Sequence, residues 1–267
     1  MDRKIGVVTS TYSHYSADEA MDGISKAGFK YVELVTVPGV IDHILPRPEE
    51  MENNDVAKIL NMCKEYHLEI YCIAAHERLM KEDAVSSFRK VIDISKLLGA
   101  RYITTSIGEI KTEDDRKRFY KEIKILGEYA ATKDIVICLE VHGDWCKNGK
   151  VASKIVEKIN HSNIRINYDT ANTIFYGDTR PEEDLKNALP YVGFMHLKDK
   201  IGGYKVWNFP VLGEGEVDFN KIFKLIQDYS GPISVEVELD GKKHPLNEVN
   251  NALVKSYNFL KNHGIVD

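Results

Sequence analysis

The fold is decided by three neighbouring stretches: IVICLEV (residues 135–141), KVASKIVEKI (150–159) and IRINYD (164–169). Two short apolar runs rich in Val and Ile flank one amphipathic stretch. Runs that are apolar almost throughout read as strands buried on both faces, as in parallel sheets. Parallel neighbours need a crossover, usually a helix, so the three stretches read as one β–α–β unit.

The same alternation extends in both directions. Upstream, strands are expected at Lys4–Thr9, Tyr31–Thr36, Glu69–Ala74 and Arg101–Ser106. Each precedes a helix: Ala17–Ala27, Asp55–His67, Glu82–Leu98 and Thr112–Thr132. Ser16 reads as the first helix's N-cap and Gly28 lies just past its end. Downstream, strands at Val192–Leu197 and Ile233–Glu238 precede helices at Phe219–Tyr229 and Leu246–Asn262. A short helix follows Pro181, a residue suited to a first helical turn. Eight strand–helix units at roughly 30-residue spacing predict a closed (β/α)8 barrel, one α/β domain over residues 1–267. The competing architecture is a doubly wound open sheet. No GxGxxG follows the first strand, which weakens its dinucleotide-binding form. The longer loops, 37–54, 143–149, 171–180 and 198–218, all follow strands. In a barrel they would build the C-terminal face, where active sites lie.

Strand residues alternate sides. On this phase Cys138, Glu140 and His142 share one side of the fifth strand, and Asn167 and Asp169 one side of the sixth. Phe194, His196 and Lys198 share a side of the seventh; Ser234, Glu236 and Glu238 share one of the eighth. Each series ends in ionisable groups at the C-terminal rim. Charges inside a barrel are costly unless paired or bound to metal, so an acidic cluster with one histidine points to a shared divalent cation. Mixed oxygen and imidazole donors suit Mn, Mg, Co or Zn and disfavour an all-oxygen calcium site. Taken singly, each residue has a plainer role. Glu140 could be a loop carboxylate, Asp169 the N-cap of a short turn, and His196 a bonded core histidine. One of Glu236 and Glu238 could simply pair with a lysine. Strand phase does not choose between those two glutamates.

The bulk of the chain agrees with a soluble enzyme. It has 267 residues, 43% hydrophobic and 29% charged, enough for a full core without disulfides. Net charge is −5 with no basic stripe, which argues against a nucleic-acid partner. No run is long enough to span a membrane, and the first residues lack a signal-peptide pattern. Cys63, Cys72, Cys138 and Cys146 form no CxxC pair; reduced thiols in a cytoplasmic setting are expected. A homo-oligomer is left open.

Between residues 135 and 240 the chain resembles the xylose isomerase-like TIM-barrel superfamily, in its sugar phosphate isomerase/epimerase branch. The pieces are CLEVH (138–142), NYDTAN (167–172), FMHLKD (194–199), LGEGEVD (212–218) and GPISVE (231–236). The resemblance implies one divalent metal held by Glu140, Asp169, His196 and Glu236, with Glu236 preferred over Glu238. It also implies that His142 and Lys198 face a small sugar-like substrate; Glu140 and Glu236, on strands separated by two others, are placed to flank that substrate as acid and base. Asn172, Glu33, His76 and Trp207 are further candidate substrate contacts. Two positions depart from ketose 3-epimerases of the tagatose type. Asn172 stands where they carry a histidine, and Gly202 where they carry an arginine. The Lys198–Asp199 pair is closer to inosose dehydratase and pentulose-phosphate epimerase relatives. The expected chemistry is proton removal next to a carbonyl through a metal-stabilised enediolate, giving epimerisation or isomerisation. Dehydration or decarboxylation by the same site is the alternative. Gly213 and Gly215 are expected to shape the following loop, and Asp218 to cap the helix after it.

Overall fold

A computed structural model describes residues 3–267. Eight parallel strands close in sequence order into a barrel. They are β1 Ile5–Val8, β2 Tyr31–Thr36, β3 Glu69–Ala75, β4 Tyr102–Thr105, β5 Val136–Glu140, β6 Ile164–Asp169, β7 Val192–Leu197 and β8 Ile233–Val235. Around them lie α1 Ala17–Lys26, α2 Asn53–Glu65, α3 Ala84–Leu97, α4 Glu113–Thr132, α5 Gly149–Ile159, α6 Asn172–Gly177, α7 Pro181–Ala188, α8 Phe219–Leu225 and α9 Leu246–Asn262. Closure removes the open edges that an unpaired parallel sheet would expose. None of the helices among the described residues is long and apolar enough to cross a membrane.

The expected caps form. Ser16 accepts from the Glu19 N–H while Glu19 bonds back to the Ser16 N–H, closing a capping box on α1. Asp218 accepts from the Lys221 N–H at the start of α8, and Pro181 occupies the first turn of α7. Most boundaries fall within two residues of expectation, and three differences are larger. The segment after β6 contains a short helix, α6, where a loop was expected. Six residues are too few to show a helical period, and the turn is held by a side chain, as described below. Strand β8 ends at Val235 rather than Glu238. One more ladder bond, from Glu236 N–H to Leu197 O, continues past it, and the chain then leaves the barrel toward the α9 side. Helix α8 stops at Leu225 rather than Tyr229.

Two layers of core hold the barrel. Outward-facing residues such as Ile137, Leu139, Ile166 and Leu197 are fully buried under the helices, each contributing about 1.5–3 kcal/mol by burial. Inside, Tyr71, Cys72, Cys138 and Phe194 form a separate plug. The Phe194 ring lies 5.4 Å from Tyr71 and 5.7 Å from Tyr102, both tilted. Register shifts between β2 and β3: Val32 pairs with Ile70, but Glu33 pairs with Cys72. The extra residue, Tyr71, lets two consecutive side chains join the plug, as bulges do when they re-aim a strand. A second shift between β6 and β7 brings Asp169 level with His196. The ionisable groups therefore stand directly on an aromatic floor.

Candidate metal centre and substrate cavity

Asp169 ends β6, and its two oxygens have different surroundings. Oδ1 accepts the Ala171 and Asn172 N–H groups at 2.8 and 2.7 Å, which starts α6. Oδ2 is buried and has no hydrogen-bond partner. The capping role weighed from sequence is thus real, and it leaves the second oxygen free. Glu140, at the end of β5, is gripped by two amides. Asn172 Nδ2 donates to Oε1 at 2.9 Å, and Asn167 Nδ2 to Oε2 at 3.1 Å. His76 Nε2 lies 3.5 Å from the same Oε2. The His76 Nδ1 accepts the Ser106 N–H at 3.2 Å, so its proton sits on Nε2 and faces Glu140.

His196 stands between the carboxylates. Its Nε2 is 3.0 Å from Glu33 Oε2. Its Nδ1 is 3.2 Å from Glu236 Oε2, 3.7 Å from Glu140 Oε2 and 3.8 Å from Asp169 Oδ2. Donor atoms of Glu140, Asp169 and His196 all lie within 4.8 Å of one another. Glu236, just past β8, joins this group through His196. Glu238 does not; it pairs with Lys198, whose Nζ also lies 3.4 Å from Glu236 Oε1.

Electrostatics of the group follow from burial and crowding. Burial raises the Glu140 carboxyl well above the usual carboxylate range, and Glu236 and Asp169 add to the rise against His196. Burial raises Asp169 too. Burial alone would lower His196, but Glu33, Asp169 and Glu236 together hold it well above an ordinary histidine. Burial would likewise raise Glu33, yet His196, Ser234 and Thr104 keep it below the usual range. Desolvation pushes His76 down to about 4 and His142 to about 3, so both are neutral imidazoles. His196 and Lys198 offset part of this crowded negative charge, and the buried Asp169 Oδ2 is left without a partner, an oxygen free for a cation. Oxygen and nitrogen donors in this mixture fit a divalent cation of the Mn, Mg, Co or Zn kind.

Above the group opens a cavity of about 490 Å³. His142, Asn172, Lys198, His76 and Trp207 line it. The His142 Nε2 is 2.9 Å from the Tyr176 hydroxyl, with ring centroids 4.6 Å apart. Lys198 lies over the Phe209 ring at 4.3 Å. Trp207 packs edge-on against Phe175 and Phe209 while staying half exposed. Glu33 is the exception among the candidate substrate contacts. It is 0% exposed, lies beneath His196, and does not line the cavity. Asp199, next to Lys198, faces the other way. Its carboxylate accepts N–H groups of Lys200 (2.8 Å), Gly213 (2.9 Å), Gly215 (2.8 Å) and Val217 (3.2 Å). The glycines expected to shape this loop do so around that carboxylate; Gly213 has φ +83°.

Sequence reasoning missed several supports. Asn167 was recognised as inward-facing but not as a holder of Glu140. Arg78, only 2% exposed, donates to the Thr36 and His76 carbonyls, both at 2.9 Å, and pairs with Glu49 at 3.2 Å. It ties the loops after β2 and β3 together. A lone arginine two residues past His76 carries no pattern that would reveal this. Tyr176 was hidden inside the unrecognised α6.

Closed parallel barrel and rim cluster together define a TIM barrel with a site able to hold a metal ion. Comparison with known sequences is specific about the rest: the chain belongs to the xylose isomerase-like TIM barrel family, whose profile matches residues 21–263. It is 23% identical over 257 residues to an inosose dehydratase of Clostridium botulinum (strain Eklund 17B / Type B), covering 84% of this chain and 82% of that one. Among solved structures it is similar to a D-allulose 3-epimerase from Methylomonas sp., with a TM-score of 0.76 and 21% identity over 97% of this chain and 98% of the other. A xylose isomerase-like TIM barrel protein from Mycobacterium smegmatis in complex with magnesium gives a TM-score of 0.74 at 16% identity, over 96% and 98% of the two chains.

Proposed function

We propose that this chain is a divalent-metal-dependent isomerase or epimerase that moves a proton beside a carbonyl of a small carbohydrate. The observation that carries the reading is the buried, partnerless Asp169 Oδ2 facing His196 Nδ1 with Glu140 and Glu236 close by. Glu140, Asp169, His196 and Glu236 would hold the cation. When bound, it supplies Lewis-acid polarisation of a substrate carbonyl.

The remaining work falls to the chain. Glu140 and Glu236 come from β5 and the end of β8, with β6 and β7 between them. They therefore reach the cavity from either side of His196, one to take a proton and the other to return it. The two asparagine amides and His76 fix Glu140 in place. Lys198, held by Glu236 and Glu238, presents its ammonium to the cavity and can grip a substrate hydroxyl. The aromatic wall of Phe175, Trp207 and Phe209 shields the site from water and suits the apolar face of a sugar ring. Four free, buried cysteines favour a reducing, cytoplasmic setting.

The test is incubation of the manganese-loaded protein with a panel of free and phosphorylated ketoses in deuterated water. Exchange of the C–H next to the carbonyl, with a product of unchanged mass, is expected. Turnover of any sugar without exchange would overturn the reading. A second reading, loss of a β-hydroxyl after the same proton removal, is favoured by the alignment with an inosose dehydratase along most of both chains. It predicts a product lighter by one water, which mass spectrometry resolves.

A further inference from the structure

Glu33 does not line the cavity, yet both of its oxygens are fully bonded. Its Oε2 takes Ser234 Oγ at 2.5 Å and His196 Nε2 at 3.0 Å. Its Oε1 takes the Thr104 hydroxyl and, at 3.4 Å, the Cys72 thiol. The Ser234 hydroxyl is in turn 2.5 Å from the Tyr71 hydroxyl, which donates to the Ile233 carbonyl at 2.8 Å. The network joins β2, β3, β4, β7 and β8 beneath the carboxylate cluster.

We propose that Glu33 is a positioning residue for the metal centre: it fixes the tautomer and orientation of His196 so that Nδ1 is left as a ligand nitrogen. This rests on the metal reading given above. The argument is one of hydrogen-bond roles. An ionised carboxylate only accepts. Whatever faces Glu33 Oε2 must therefore donate, and His196 Nε2 must carry a proton. In a metal-bound, neutral imidazole the lone pair then lies on Nδ1, the nitrogen that stands 3.2–3.8 Å from Glu236, Glu140 and Asp169 oxygens. Without a cation those carboxylates hold a proton on Nδ1; a bound cation takes that proton's place, and the nitrogen becomes its donor. Partners of this kind behind a ligating histidine typically change metal affinity by about 10–100-fold.

The test uses Glu33→Gln and Glu33→Asp in the full chain. Manganese affinity is read by the EPR signal of free ion, and the His196 tautomer by ¹⁵N-histidine NMR of the zinc-loaded protein. A glutamine amide can donate to Nε2 and so allows the other tautomer. Expected for Glu33→Gln is manganese binding weaker by about 10–100-fold, with loss of the Nε2–H signature. Glu33→Asp, which keeps the charge, is expected to restore much of both. Should Glu33→Gln fail to fold, Ser234→Ala removes one donor to Glu33 and is expected to weaken manganese binding several-fold. Wild-type affinity in Glu33→Gln or, where that variant does not fold, in Ser234→Ala, or an unchanged tautomer in Glu33→Gln, overturns the proposal. Failure of the wild-type protein to bind any divalent ion would instead overturn the metal reading itself.

Discussion

Strands β5 to β8 bring Glu140, Asp169, His196 and, just past the last strand, Glu236 to one rim. Strands β1 to β4 bring Glu33 and Thr104 to a deeper level, and the loop after β3 brings His76. The first group has more negative charge than its own hydrogen bonds satisfy. The second consists of groups whose bonds are complete: Glu33 with every oxygen taken, Thr104 beside it, and His76 with its tautomer set by a backbone N–H. On the proposed reading one half of the barrel presents the donor atoms and the other helps to aim them, together with Asn167 and Asn172 of the first half, which hold Glu140. The half without candidate ligands is bonded to the half that carries them, Glu33 to His196 and His76 to Glu140.

That contrast can be broken at defined points. The largest effect is expected from Asp169→Asn. Asparagine keeps an acceptor for the Ala171 and Asn172 N–H groups, so α6 should form and the melting temperature should hold. Divalent-metal affinity should fall by at least about 100-fold, more than a positioning residue causes, as measured by titration calorimetry. Unchanged metal binding would move the centre away from Asp169. Asp169→Ala should behave the same toward metal but also lose about 1 kcal/mol in denaturant unfolding, because the cap goes as well.

Next comes Phe194→Ala, which empties the floor shared by both halves. It should cost about 3–5 kcal/mol of stability in urea unfolding. A loss under 1 kcal/mol would show that the plug does not hold the halves together. Asp199→Asn leaves the loop N–H groups with a weaker acceptor and should cost about 1–3 kcal/mol, with activity falling because Lys198 is its neighbour. The smallest change is expected from Trp207→Ala. Half exposed, it should leave the melting temperature unchanged and raise KM by an amount worth about 0.5–1.5 kcal/mol. An unaffected KM would remove Trp207 from the substrate wall.

The barrel was legible because eight apolar runs alternate with amphipathic stretches, and both patterns follow directly from backbone geometry. The rim was legible because inward phase can be counted from residue to residue, so Glu140, Asp169 and His196 fall on one side without any contact being known. Counting fails once a strand is irregular. The bulge at Tyr71 changes what lies beside Glu33, and no residue there announces it. Glu33 therefore read as a rim group, whereas the structure buries it beneath His196. Phase also could not separate Glu236 from Glu238, two residues apart on one side. The resemblance preferred Glu236, and the structure puts Glu236 against His196 and Glu238 against Lys198. Helix α6 was invisible for a different reason: its start is held by the Asp169 side chain, not by a period of its own.

The four N–H groups gathered by Asp199 set a limit on how this barrel can be re-engineered. Lys198 faces the cavity and Asp199, one residue on, faces the loop, so the substrate side and the scaffold side share a single peptide bond. A Cβ at position 215 would collide with the Asp199 carboxylate, and position 213 needs a left-handed backbone. The loop is therefore an exchangeable cassette only between residues 203 and 207, where Tyr204, Val206 and Trp207 stand exposed, because Phe209 is buried under Lys198. Library designs that randomise that window and keep 199, 209, 213 and 215 would change what the mouth admits without unseating the lysine beneath it.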